Sequence, residues 1–272
     1  MLWQRVLTAL PLAALAIWFI FSQSTDALFI VLLLITLVSG WEWANLAGIT
    51  HIAVRLAYAI VLAAAVYLAN QLINTQPIIF EWLMLIVLAW WFYVIYRMAT
   101  RGPSAPSNET SLIKILLGFL TMIPAVIALK HLHAAEQGAS WLFYALSIIW
   151  VADIGAYFSG KRFGKNKLAP LLSPGKTKEG LYGAIIATTI YTLVAAYYFE
   201  LEIIQTLMLM IIAFFATLLS VAGDLFISLL KRERGIKDSG SILPGHGGVL
   251  DRIDSITSSA PFFALMLELV IF

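Results

Sequence analysis

Nine runs of mostly apolar residues, each near the roughly 20 residues needed to cross a hydrocarbon core as a helix, fill nearly all of this 272-residue chain. They lie at about 5–21, 27–48, 52–70, 78–97, 112–132, 140–159, 180–199, 203–223 and 255–271. In lipid each backbone N–H and C=O must be paired inside its own segment, so runs of this length span as helices. The expected fold is an all-α polytopic membrane protein with about nine transmembrane helices. Charged side chains make up only 12% of the chain, against roughly 25% in a soluble domain. Arg5 ahead of an apolar run ending near Ser22 has the outline of a signal peptide, but the run is long and no small-residue cleavage site follows. The first helix is read as retained.

Charge placement sets the expected orientation. With residue 1 in the cytoplasm, the inner connections hold sixteen of the seventeen Lys and Arg, and only Lys130 falls outside. Basic residues favour cytoplasmic loops, so the N-terminus is expected to be cytoplasmic and the C-terminus periplasmic. Residues 1–135 read as a scaffold of helices 1–5. Residues 136–272 read as helices 6–9 carrying two polar cytoplasmic segments, 160–180 and 231–254.

The chain has no Cys, which excludes disulfides and thiolate metal sites and leaves oxygen or imidazole ligands for a hard cation. The connector GPSAPSNETS at 102–111 reads as an exposed loop. Its Asn108-Glu-Thr match to a glycosylation acceptor lies on the expected cytoplasmic side and is a chance match.

The first polar segment, SGKRFGKNKLAPLLSPGKTKEG, holds six cations and one acid. A plain cytoplasmic flank would explain the charge, but not the glycines and prolines that shape it. Gly175-Lys176-Thr177 looks like the end of a P-loop, yet the required earlier Gly is Pro170 and no preceding strand is expected. A P-loop is rejected, although backbone amides with Lys and Thr can hold phosphate without one. Just upstream, Asp153 sits near the cytoplasmic end of the sixth span, and an intramembrane carboxylate is a functional candidate by default.

The second segment is SVAGDLFISLLKRERGIKDSGSILPGHGGVLDRIDS. Asp224, Ser228 and Lys231 are spaced by four and three residues and share one helix face. Asp251 and Asp254 share a face at the mouth of the last span. Three carboxylates from two helix ends, joined by a Gly-rich linker, are expected to converge on one divalent cation. Basic and backbone groups beside them suit metal-assisted chemistry on phosphate.

From Ser228 to Asp254 the sequence resembles the signature of the integral-membrane phosphatidate cytidylyltransferases. The matching positions are Ser228, Lys231, Arg232, Lys237, Asp238, Gly240, Leu243, Pro244, His246, Gly247, Gly248, Asp251, Arg252 and Asp254. Asp153 and the run Ser173-Pro-Gly-Lys176-Thr177-Lys-Glu179-Gly180 resemble further family positions. The resemblance implies transfer of the cytidylyl group of CTP to phosphatidic acid, giving CDP-diacylglycerol and pyrophosphate. It also implies Mg²⁺, an inner-membrane location with the site facing the cytoplasm, and a homodimer, with membrane lipid but no nucleic acid as partner.

On that reading Asp224, Asp251 and Asp254 hold the metal, and the same three with Lys231 are catalytic. Substrate contacts fall to Ser228, Arg232, Lys237, Asp238, His246, Gly247, Gly248, Arg252, Ser173, Lys176, Thr177 and Asp153. Two alternatives compete: a related membrane cytidylyltransferase or lipid kinase acting on a polyprenyl-type acceptor, and a transporter. The charges gather on one face and do not line a path across the midplane, which counts against transport. The Asp-Gly-x-x-Ala-Arg motif of CDP-alcohol phosphotransferases is absent.

Overall fold

The computed structural model describes residues 2–243, 245 and 247–271, and of residues 2–10 and 12 only the backbone. Nine helices occur among them: α1 Leu2–Ser22, α2 Thr25–Leu46, α3 Ile52–Thr75, α4 Ile78–Thr100, α5 Leu112–Ala134, α6 Gly138–Phe163, α7 Lys178–Tyr198, α8 Ile203–Arg234 and α9 Leu250–Val270. Those from α2 to α9 are long and apolar enough to cross a membrane, and Ala13–Ser22 of α1 is apolar as well. The all-α polytopic fold expected from hydropathy is the one observed.

The departures lie around the polar segments. α8 continues beyond the apolar span that ends near 223, through the expected helical face of Asp224, Ser228 and Lys231 and on to Arg234, because Leu, Lys, Arg and Glu are good helix formers whatever their polarity. It stops where Gly235 takes a left-handed φ of 75°. At 1.5 Å per residue its 32 residues reach about 48 Å, beyond a roughly 30 Å hydrocarbon core, so the helix has length to spare outside lipid. α9 begins at Leu250, ahead of its apolar span, and carries Asp251 and Asp254 in its first turns, in keeping with the shared face expected of them. Between α6 and α7, where a loop is expected, β1 (Lys167–Ala169) and β2 (Ser173–Thr177) form an antiparallel hairpin with Lys167 opposite Thr177. Leu172 at its turn is buried and anchors it.

One apolar core joins Leu28 and Val126 to Trp141 and Phe263. α9 lies against α8, α5 and α4. α6 and α7 pack tightly at two glycines. A Cβ on Gly183 would stand 2.2 Å from the Ser159 Cβ, and one on Gly155 2.7 Å from the Gly183 carbonyl oxygen. Small residues permit such backbone contact in lipid. Gly183→Val is therefore expected to cost about 1–3 kcal/mol by overpacking, read as a lower midpoint of thermal unfolding in detergent. An unchanged midpoint would mean that the helices do not meet there.

Candidate functional site

The ends of α6, α8 and α9 meet the β-hairpin around a cluster of charged side chains. Thr177 closes β2 and caps α7, its Oγ1 accepting from the Gly180 N–H at 3.1 Å. That cap fixes the direction in which Lys176, the residue before it, leaves the hairpin. Glu179 closes the approach to the hairpin by accepting from the Lys165 and Asn166 backbone N–H groups and from the Asn166 side chain. The hairpin is held from the other side too, since Arg232 Nε donates to the Leu172 carbonyl at 3.3 Å.

Lys176 Nζ reaches Asp224 Oδ2 at 2.5 Å, and the other oxygen of Asp224 accepts from Ser228 Oγ at 3.3 Å. One turn further along α8, buried Lys231 donates to Asp251 Oδ1 at 2.6 Å. Buried Asp254 feels the charges of Asp224, Lys231 and Lys176 together. Asp153 feels Lys176, Asp224 and Arg252. Six of the sequence-derived candidates thus share one electrostatic neighbourhood with Arg252 at its edge. Two of the six, Asp153 and Lys176, line an open cleft of about 360 Å³ together with Tyr157, Gly160, Lys161 and Thr177 among others.

The three carboxylates do not stand as a ready-made trio. Among the described residues no three acidic or His side chains are grouped as metal ligands. Asp251 is occupied: besides Lys231 on Oδ1, its Oδ2 accepts from the Ser239 N–H at 2.8 Å, the Ser239 hydroxyl at 3.0 Å and the Gly248 N–H at 3.1 Å. Asp254 Oδ1 accepts from the Ser255 N–H at 2.8 Å. Lysines thus balance two of the three acids.

The linker between α8 and α9 is less loose than its glycines suggest. Leu243 and Gly247 form a bridge, with Gly247 at φ 82°. Gly248 is buried, while Lys237, Asp238 and Arg252 are exposed. Ser173 opens β2 opposite Ala169. His246, and Pro244 beside it in the motif, lie outside the described residues.

Two buried acids escaped the sequence reading. Glu42 in α2 is 1% exposed and bonds the Ser239 hydroxyl and the Val249 and Leu250 N–H groups. Glu233 near the end of α8 takes Lys114 at 3.2 Å and Arg97 at 3.5 Å. It also accepts from the Ser104 N–H, and its backbone carbonyl accepts from Ser107, which ties the 102–111 connector to α8. The rule that flagged Asp153 applies equally to a Glu inside WEWANL and would have found Glu42.

Comparison with known proteins bears on this arrangement. The sequence pattern of the cytidylyltransferase family matches residues 3–270. A phosphatidate cytidylyltransferase of Pseudomonas aeruginosa is 39% identical over 272 residues, covering 98% of this chain and 97% of the relative. One from Haemophilus influenzae is 34% identical over 97% of this chain and 98% of its own length. In a third, from Bacillus subtilis, the identity is 42% over 163 residues, 56% of this chain.

Proposed function

This chain belongs to the cytidylyltransferase family, and on that premise we propose that it transfers the cytidylyl group of CTP to phosphatidic acid. The observation that carries the reading is the meeting of Lys176, Asp224, Lys231, Asp251 and Asp254 near the ends of membrane-spanning helices, with Lys176 lining an adjoining cleft. Such an array suits two anionic reactants, one soluble and one with its tails in lipid.

In the reaction a phosphate oxygen of the lipid attacks the α-phosphorus of CTP, the bond from that phosphorus to the bridging oxygen breaks, and pyrophosphate leaves. The attacking oxygen is ionised at neutral pH, so no general base is needed. What the protein supplies is position and charge neutralisation. Lys176 and Lys231 are the cations that can exchange a carboxylate for a phosphate oxygen, Lys176 from a capped hairpin and Lys231 from a helix. Exposed Lys237 and Arg252 would attract CTP from the aqueous side.

Mg²⁺ fits the donor set, since the carboxylates of Asp224, Asp251 and Asp254 and the Ser228 hydroxyl are all hard oxygens. These acids would hold it once the lysines turn to phosphate. Bound there, the ion would neutralise charge that develops at the α-phosphate and the leaving pyrophosphate.

The site faces the cytoplasm of an inner membrane on this reading, supported by the bias of Lys and Arg toward one side. A cysteine at position 175 or 241, alone in the Cys-free chain, is expected to be modified by an impermeant reagent only in inverted vesicles. Modification in intact cells would reverse the orientation. A homodimer is part of the same reading, resting on the family resemblance. Mass measured in detergent tests it, and a monomer that retains full turnover would remove it.

Acceptor choice tests the function itself. Purified protein given CTP is expected to convert phosphatidic acid and to leave a polyprenyl phosphate unreacted. Conversion of the polyprenyl acceptor alone would favour the related enzyme, and CTP-independent uptake into sealed proteoliposomes would favour a transporter.

A further inference from the structure

We infer that Glu42, on α2, is a positioning residue for the transfer site, the clamp that ties Ser239 to the opening of α9 and through them sets the direction of Asp251. The inference rests on the functional reading above, because it assigns Glu42 a part in that site's turnover.

Glu42 lies one turn before the end of α2, far in sequence from every residue it bonds. Its Oε1 accepts from the Val249 N–H at 3.0 Å and its Oε2 from the Leu250 N–H at 2.8 Å. These belong to the opening of α9, where a helix leaves N–H groups without intrahelical partners and carries partial positive charge. The residue at the cap position, Val249, has no side chain able to serve them. A carboxylate from another helix does so instead.

The clamp continues into the site through one hydroxyl. Ser239 Oγ stands 3.0 Å from both Glu42 Oε2 and Asp251 Oδ2, so its single proton lies between the two carboxylates. Oδ2 of Asp251 is thereby fixed by Ser239 and Gly248, and Oδ1 is left pointing at Lys231. The chain of contacts runs from Glu42 to Ser239 to Asp251 to Lys231.

Two glycines of the motif record how tightly this is packed. A Cβ on Gly240 would lie 2.3 Å from Glu42 Oε1, and one on Gly248 would lie 2.5 Å from Glu42 Oε2. Those positions need glycine because the Glu42 carboxylate and, at Gly248, the Ser239 hydroxyl 2.1 Å away occupy the space. Among the described residues no salt bridge reaches Glu42, although Arg55 acts on it at longer range. A buried carboxylate held mainly by N–H and O–H donors keeps its place only while those donors stay. Ser239, the opening of α9 and Asp251 are consequently fixed as one unit.

The test is Glu42→Gln, which keeps the shape but turns an NH₂ group toward one of the two N–H donors. In purified protein, amide exchange of a peptide spanning 238–252 is expected to quicken at least tenfold. Turnover is expected to fall at least tenfold, with KM for CTP within twofold of the parent. Ser239→Ala should lower turnover in the same way, and the double variant should lose no more than the worse single one. If Glu42→Gln does not accumulate, the Ser239→Ala comparison stands alone. Exchange and turnover at parental values in Glu42→Gln, or in Ser239→Ala when only that variant is obtained, would overturn the clamp, as would fully additive losses. A parent protein inactive on CTP and phosphatidic acid would instead count against the functional reading, while the exchange result still judged the clamp's geometry.

Discussion

Asp251→Asn is expected to lower turnover by at least about 10³-fold, because it removes charge from the place where charge must be balanced in the transition state. It should also weaken the fold. The Lys231–Asp251 side chains are only 11% and 5% exposed, and removing one partner of a buried pair costs about 3–5 kcal/mol. Loss of activity alone is therefore ambiguous in this variant. The double change Lys231→Met with Asp251→Asn resolves it, since it removes both charges and leaves no unpaired ion. Stability should return toward the parent while turnover stays lost. Turnover that recovers with stability would mean that the pair serves the fold only.

Asp224→Asn should separate the two effects from the start. Its partner Lys176 lies on the hairpin, and the two side chains are 30% and 25% exposed, so the pair contributes under about 1 kcal/mol to folding. The unfolding midpoint is expected to stay close to that of the parent. Turnover is expected to drop at least about 10²-fold, the scale on which a single lost electrostatic contact slows a reaction of this kind. A fully active Asp224→Asn would remove the Lys176–Asp224 edge from the site. The contrast between a buried and a half-exposed acid in one cluster is itself a test of the geometry.

Much of this was legible in sequence because hydropathy and lipid leave few choices. Every expected span lies within or against an observed helix, since twenty apolar residues in a bilayer have no alternative to helical hydrogen bonding. Hydropathy alone understates two helices, which the spacing of their polar residues extends: α8 continues through KRER, and α9 starts before its apolar run. The hairpin at 167–177 was missed because two short strands carry no periodic signal, and what holds them, the Leu172 anchor and the Arg232 bond, is tertiary.

Within the site, Asp224, Lys231, Asp251 and Asp254 could be grouped by helical spacing, and they do share one neighbourhood. Which acid pairs with which lysine could not be read, because that depends on how α8, α9 and the hairpin meet. Glu42 was open to the rule applied to Asp153 but is separated from its partners by most of the chain. The glycines of PGHGG looked like flexible linker. Gly248 serves close approach to a buried carboxylate, and Gly247 a left-handed backbone turn.

The central claim, that the cluster at the ends of α6, α8 and α9 performs cytidylyl transfer to a lipid phosphate, is tested most directly with CTP labelled at the α-phosphorus. Purified protein is incubated with Mg²⁺ and phosphatidic acid, and the label is followed in the lipid phase while pyrophosphate is counted. The expected result is one labelled lipid for each pyrophosphate released, dependent on phosphatidic acid and lost in Asp224→Asn. Label remaining in water as a free nucleotide, or lipid labelled only from the γ-phosphorus, would contradict it.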